Sequence, residues 1–124
     1  MQTPKVISNK DARRILLHTH GLSLSSPKRL VSPALLQLIK HIGFVQVDSI
    51  NTVERAHHMV LFARHQNYRQ DQLVHLLEHE RSVFENWTHD AAMIPTVFYP
   101  DWKLRFARER ERLRPVLTIR QPRL

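Results

Sequence analysis

Ser32-Pro33-Ala34-Leu35-Leu36-Gln37-Leu38-Ile39-Lys40-His41-Ile42-Gly43-Phe44-Val45-Gln46-Val47-Asp48 changes its apolar period within one step of the chain. Up to Ile42 the leucines and isoleucines recur at helical spacing, with Ser32 as N-cap, Pro33 at the first helical position and Gly43 as the stop. After Gly43 the pattern alternates. Residues two apart share one face of a strand, so Gln46 and Asp48 project together while Val45 and Val47 point the other way. An amide and a carboxylate leaving one short strand make a small site.

Working outward, Ser8-Asn9-Lys10-Asp11 caps a first helix over roughly 9–20, closed by Gly21, and a Ser/Pro/Lys/Arg loop follows from Ser23 to Arg29. On the other side, Ile50 to His58 has no clean period and reads as loop, and Met59-Val60-Leu61-Phe62 reads as the start of a helix. Asp71 begins a better helix with Leu73, Leu76 and Leu77 on one face, ending near Glu80. Residues 83–87 alternate as a strand. Pro95 opens a last long helix, interrupted near Pro100 and ended at Arg114 by Pro115. Helix, helix, short strand, helix, strand is compatible with a winged helix. The expected class is mainly α with short β strands.

The chain has 124 residues, 42% of them apolar, which suits one compact domain. Its net charge of +8 points to a polyanionic partner, although ribosomal and membrane-surface proteins share that balance. Residues 103–124 hold eight of the 19 basic residues and only two of the 11 acidic ones, so this tail supplies most of the field. It reads either as a solvated helix with Arg/Glu pairs or as a phosphate-contacting segment. With no cysteine there is neither a disulfide framework nor a thiolate metal site. No apolar run approaches membrane-spanning length and the N-terminus has no signal-like segment, so a soluble, cytoplasmic protein is expected.

Two blocks carry a resemblance. Gln46-Val47-Asp48-Ser49-Ile50-Asn51, followed by Val53-Glu54-Arg55 and Val60-Leu61-Phe62-Ala63-Arg64, is similar to the signature of the bacterial crosslink-repair DNA glycosylases of the YcaQ/AlkZ group. Val83-Phe84-Glu85-Asn86-Trp87-Thr88-His89-Asp90-Ala91-Ala92-Met93-Ile94-Pro95 resembles that family's Leu-Phe-Glu-x-Trp-x-His-Glu-Ala element. The resemblance fades after about Leu104. It implies the N-terminal portion of a tandem winged-helix architecture, with residues 1–102 as the winged-helix-like glycosylase region and 103–124 as a basic helix and tail, the whole expected to be a truncated product or a fragment. The implied activity is monofunctional hydrolysis of the N-glycosidic bond of alkylated purines, with unhooking of interstrand crosslinks. The implied partner is double-stranded DNA carrying such lesions, bound by a monomer near the bacterial nucleoid. No metal or organic cofactor is implied.

In that reading Asp48 stabilises an oxocarbenium-like sugar and accepts a proton from the attacking water, and Gln46 holds the water. From spacing alone Asp48 reads first as a turn or cap residue, and it is the resemblance that reverses this. Arg55 and Arg64 either bind phosphate or pair with Glu54 and Asp48. Lys103, Arg105 and Arg108 are candidate DNA contacts. Asn51 is a turn former or lines the site, Trp87 is a core or interface aromatic, and His89 faces the DNA or the site or is structural.

Two other readings compete. Nine histidines invite a metal hypothesis, and His75-Leu76-Leu77-Glu78-His79 fits the H-x-x-E-H pattern of a zinc hydrolase. Leu73, Leu76 and Leu77 already define a buried stripe there, however. The stronger rival is a non-catalytic winged-helix DNA-binding module or an inactive fragment.

Overall fold

A computed structural model of the chain describes residues 6–23, 29–49 and 51–119. Most of the predicted Ser23–Arg29 loop, Ile50 and the last residues of the basic tail lie outside them. Helix α1 spans Asn9–Thr19, with the Ser8 hydroxyl accepting the Asp11 N–H and Gly21 in the left-handed region at φ +67°. Helix α2 spans Ser32–Ile42. Its cap is Val31 rather than Ser32: the Val31 carbonyl takes the Ala34 and Leu35 N–H groups, so Ser32 is already helical and makes no cap hydrogen bond. Gly43 turns the chain at φ +89°, a conformation that a Cβ would disfavour. It delivers the chain directly into strand β1, Val45–Gln46.

Helix α3 covers Ala56–Arg64, so the expected loop ends at Arg55, and Met59–Phe62 sit inside a helix rather than at its start. Helix α4 begins at Gln70–Val74 and continues as a widened π turn over His75–His79. The chain reverses at Arg81, the one non-glycine with positive φ among the described residues (φ 51°), whose carbonyl accepts the Thr96 hydroxyl. Strand β2 is Val83–Trp87, as alternation predicts.

The largest departure is strand β3, Ala91–Pro95, where a helix start was expected at Pro95. Ala-Ala-Met-Ile-Pro is a continuous apolar run because this central strand is covered on both faces; four of its five residues are buried. After a short 3₁₀ turn at Thr96–Phe98, helix α5 runs over Tyr99–Ile119 without interruption. Pro100 is its second residue, where a missing N–H costs nothing, and Pro115 is accommodated inside it instead of ending it. The helix passes through the expected boundary at 102/103.

The sheet has the order β1-β3-β2, antiparallel throughout. With α2-β1-α3-α4-β2-β3 as chain order, this is a winged-helix-like domain in a mainly α protein with short strands. Leu35 and Ile39 of α2, Leu61 of α3, Leu73 and Leu76 of α4, and Val45, Val83 and Met93 of the sheet form one buried cluster, joined by Leu30 and Tyr68. Gln72 ties the cluster's rim, taking the Arg69 N–H on Oε1 and donating to the Leu30 carbonyl. Helix α5 lies against β2 through aromatic edges, with the Phe84 ring 5.6 Å from Tyr99 and 6.3 Å from Trp102. Helix α1 buries no residue; Arg64 holds its end by donating to the His20 carbonyl at 2.8 Å while a second guanidinium donor bonds the Val60 carbonyl.

The contrast is testable. Leu61→Ala removes a fully buried side chain and should lower stability in urea unfolding by about 2–5 kcal/mol. Leu16→Ala on exposed α1 should change it by less than about 0.5 kcal/mol.

Candidate functional site

The β1–β3 pairing sets Gln46 opposite Ala92, one residue from the tight turn 88–90 that joins β2 to β3. That turn is closed by the Thr88 N–H donating to the Asp90 carbonyl at 2.8 Å. The Asp90 carboxylate then divides its two oxygens: Oδ1 accepts the Ala91 N–H at 2.8 Å and Oδ2 accepts Gln46 Nε2 at 3.3 Å. A carboxylate only accepts, so this contact fixes which end of the Gln46 amide faces Asp90. The amide oxygen is the end left to face away from it.

Asp48 lies beyond β1, not within the strand that the alternation predicts. The reason is the length of the partner: the Val47 N–H takes the Ala91 carbonyl at 2.8 Å, and beyond Ala91 the chain leaves the ladder into the turn. Val45 is buried and Val47 packs on the core, Gln46 is exposed, and Asp48 is half-buried like Val47. The Asp48 N–H donates to Nδ1 of His57, at 3.5 Å, in the first turn of α3.

His57 is 3% exposed, the only buried polar residue among those described. Its ring lies 4.1 Å from that of His58, and His58 Nδ1 shares a 2.7 Å hydrogen bond with the buried Tyr68 hydroxyl. Burial holds the His57 pKa below the usual 6.5, and the neighbouring His58 and Arg55 reinforce this against the weaker opposing pull of Glu54 and Asp48. Burial also lowers His58, and it raises Tyr68 well above the ordinary tyrosine value, with Glu54 and Asp71 adding to the rise. The three groups form a neutral, hydrogen-bonded insert beneath the Asp48 backbone.

The other expected residues scatter. Asn51 bridges to Arg55 across the turn before α3, and Arg55 is exposed there. Arg64 is drawn inward onto the His20 and Val60 carbonyls, its pKa lowered by burial. Arg105 donates to the Thr88 carbonyl at 3.2 Å and so ties α5 to the turn beside Asp90, while Lys103 and Arg108 are exposed on α5. Further along, Glu109 and Glu111 pair with Arg112 and Arg114. Trp87 is not a core aromatic: it ends β2 and is 59% exposed. His89 sits in the turn, edge-on to Phe44 at 6.1 Å.

The His75–His79 pattern falls on the π turn, where the two rings face each other at 5.3 Å and His75 pairs with Glu80, not Glu78. Among the described residues no group of three His, Asp or Glu side chains is placed to hold a metal ion. Nor is any described helix long and apolar enough to cross a membrane.

Two residues of the site escape a reading of spacing. Asp90 comes from the turn of a hairpin whose second strand has no alternation, and His57 comes from a segment without a clean period. The signal available was the paired strand ends themselves: once Ala91–Pro95 is a strand, Asp90 must lie beside Gln46.

A family model described as DNA glycosylase AlkZ-like matches residues 39–122. That span begins in α2, includes both sequence blocks, and runs on well past Leu104, where the resemblance was expected to fade. No solved structure matches the chain.

The buried histidine predicts an acid-sensitive fold. Because its native pKa is depressed, His57 contributes stability that is present above the unfolded value of 6.5 and is lost as pH falls through the lower native one. Urea midpoints should therefore decline from pH 7.5 to pH 5, and His57→Phe should flatten that decline.

Proposed function

The chain belongs to the AlkZ-like DNA glycosylase family, a DNA-repair family acting on DNA, and from this membership we propose that it hydrolyses the N-glycosidic bond of alkylated purines and unhooks interstrand crosslinks, with Asp48 and Gln46 as its catalytic pair. The observation that carries the reading is the Gln46–Asp90 hydrogen bond, made two residues before Asp48 at the end of β1.

An N7-alkylated purine bears a positive charge, so its glycosidic electrons are drawn into the base and little acid catalysis is needed. The bond from C1′ to the purine nitrogen breaks, the electron pair neutralises the base, and positive charge develops on the sugar. A fixed carboxylate at Asp48 stabilises that charge best where water is scarce. Gln46, with its N–H on Asp90, presents its amide oxygen. Together with Asp48 it offers acceptors for both hydrogens of one water and aims the water's lone pair at C1′. The new bond forms from water oxygen to C1′, and the released proton passes to Asp48. The aspartate in the Gln46-Val47-Asp48 triplet supports reading the chain as one of the Gln-Φ-Asp subgroup, with broad alkyl lesions as its substrates.

DNA approaches from the side of the turn and α5. In a winged helix the usual reader of the major groove is the helix before the hairpin. Here α4 and its π turn carry Asp71, Glu78 and Glu80 with no Lys or Arg between Gln70 and Glu80, so the helix itself offers phosphate no cation. Arg55, Lys103 and Arg108 make the phosphate contacts, while Arg64 and Arg105 add to the field and brace the backbone.

Two measurements test this. Asp48→Asn should cut release of 7-methylguanine from methylated duplex DNA by about 100-fold or more while leaving DNA affinity within about twofold. Equal release by both proteins would remove Asp48 from the chemistry, and binding without release by the wild type would leave a DNA-binding module. Replacing Lys103 and Arg108 with Ala should weaken DNA binding and reduce its log–log salt slope by about 1–2.

A further inference from the structure

We propose that His57 is a positioning residue, a neutral imidazole that sets the direction of the Asp48 carboxylate by accepting that residue's backbone N–H. The inference rests on the catalytic role assigned to Asp48 above, but its geometry stands apart from it.

The Val47 N–H faces β3, so the next N–H, of Asp48, faces the other way, where β1 is the edge of the sheet and no strand supplies an acceptor. The preceding N–H, of Val47, bonds the Ala91 carbonyl, and the Asp48 N–H bonds His57 Nδ1. Two consecutive amides are thus anchored to two different elements, β3 and α3. Holding both orients the peptide between them and hence the bond from Cα to Cβ that carries the carboxylate.

The arrangement demands one state of the ring. To accept at Nδ1, His57 must be neutral with its proton on Nε2. Burial at 3% exposure enforces neutrality, and the adjacent His58, itself held by Tyr68, packs at 4.1 Å and limits the ring's freedom to turn. The charged groups facing it are divided: His58 and Arg55 oppose its protonation, and Glu54 and Asp48 favour it. Protonation would set an Nδ1–H against the Asp48 N–H, donor against donor. The tether would then release, and the carboxylate would lose its fixed bearing just as acid begins to titrate the insert. This gives the reaction an acid limb that belongs to a histidine rather than to the catalytic carboxylate.

The test has a spectroscopic arm and a kinetic arm, both on the full chain. In ¹⁵N-labelled protein at pH 7.5, His57 should show the Nε2–H tautomer, and the Asp48 amide resonance should move with the same midpoint as the His57 ring. In His57→Asn, whose side-chain oxygen replaces the Nδ1 acceptor without titrating, that movement should vanish while the Asp48 amide keeps its hydrogen-bonded shift. A proton on Nδ1, or an Asp48 amide indifferent to His57, overturns the proposal whether or not the chain releases base. In the kinetic arm, His57→Leu should lower the single-turnover rate of 7-methylguanine release by about 10- to 100-fold with DNA affinity unchanged. His57→Asn should retain most of the rate and lose the acid limb. Equal loss in folded Asn and Leu variants, or an acid limb that survives in His57→Asn, contradicts it. No release by the wild type would instead defeat the glycosylase reading and leave the tether to be decided by the amide titration.

Discussion

The antiparallel pairing of β1 with β3 is the contact on which the rest depends. It is only two residues long on the β1 side, Val45 opposite Met93 and Gln46 opposite Ala92, extended by the Val47 N–H to Ala91. So short a ladder has little intrinsic stability. It persists because Val45 and Met93 are core residues, buried with Leu35, Ile39 and Leu61 against the helices. Hydrophobic burial on one face thus fixes the register. The register in turn decides which side chains meet on the other face, since a slip of one residue would turn Gln46 inward and Val45 out. The same pairing places the hairpin turn, and with it Asp90, beside Gln46.

The unpaired edge of β1 matters as much as the paired one. Even in a longer β1 the Asp48 N–H would face away from β3, because the Val47 N–H is the one turned toward that strand, and β1 is the edge of the sheet. The chain peels away toward α3, and that outward-facing amide finds a buried imidazole. A polar group in such a place is tolerated only when its neighbours satisfy it. The His57–His58–Tyr68 insert does so with neutral partners, avoiding the larger cost of burying charge. Between Gln70 and Glu80, α4 and its π turn carry acidic residues and no Lys or Arg, while exposed cations flank them at Arg69 and Arg81 and stand on α1, on α5 and before α3.

Much of this architecture was legible in the chain itself. The caps at Ser8, Gly21 and Gly43, the leucine stripe of α4 and the alternation of β2 are local signals, and each is realised within a residue or two. Gln46 and Asp48 stood out because polar residues interrupt an apolar run at strand spacing. What stayed hidden depended on partners distant in sequence. A central strand covered on both faces has no alternation, so Ala91–Pro95 resembled the approach to a helix. Trp87 reads by type as a core or interface aromatic, and its exposed place at the end of β2 excludes only the core. Pro115 reads as a helix stop, yet loss of one hydrogen bond does not end a helix already propagating. His57 carried no periodic signal, because its importance comes from the backbone of another segment.

In the proposed site Asp90 acts through Gln46, turning its amide so that the oxygen and the Asp48 carboxylate hold one water. A double-mutant cycle on the single-turnover release of 7-methylguanine, using Gln46→Ala, Asp90→Ala and the pair, tests it most directly. If the account is right, removing Asp90 slows the reaction only when Gln46 is present, and the double variant is no slower than Gln46→Ala alone. If Asp90→Ala costs the same factor in both backgrounds, the two residues act independently, and the Gln46–Asp90 bond does not build the site.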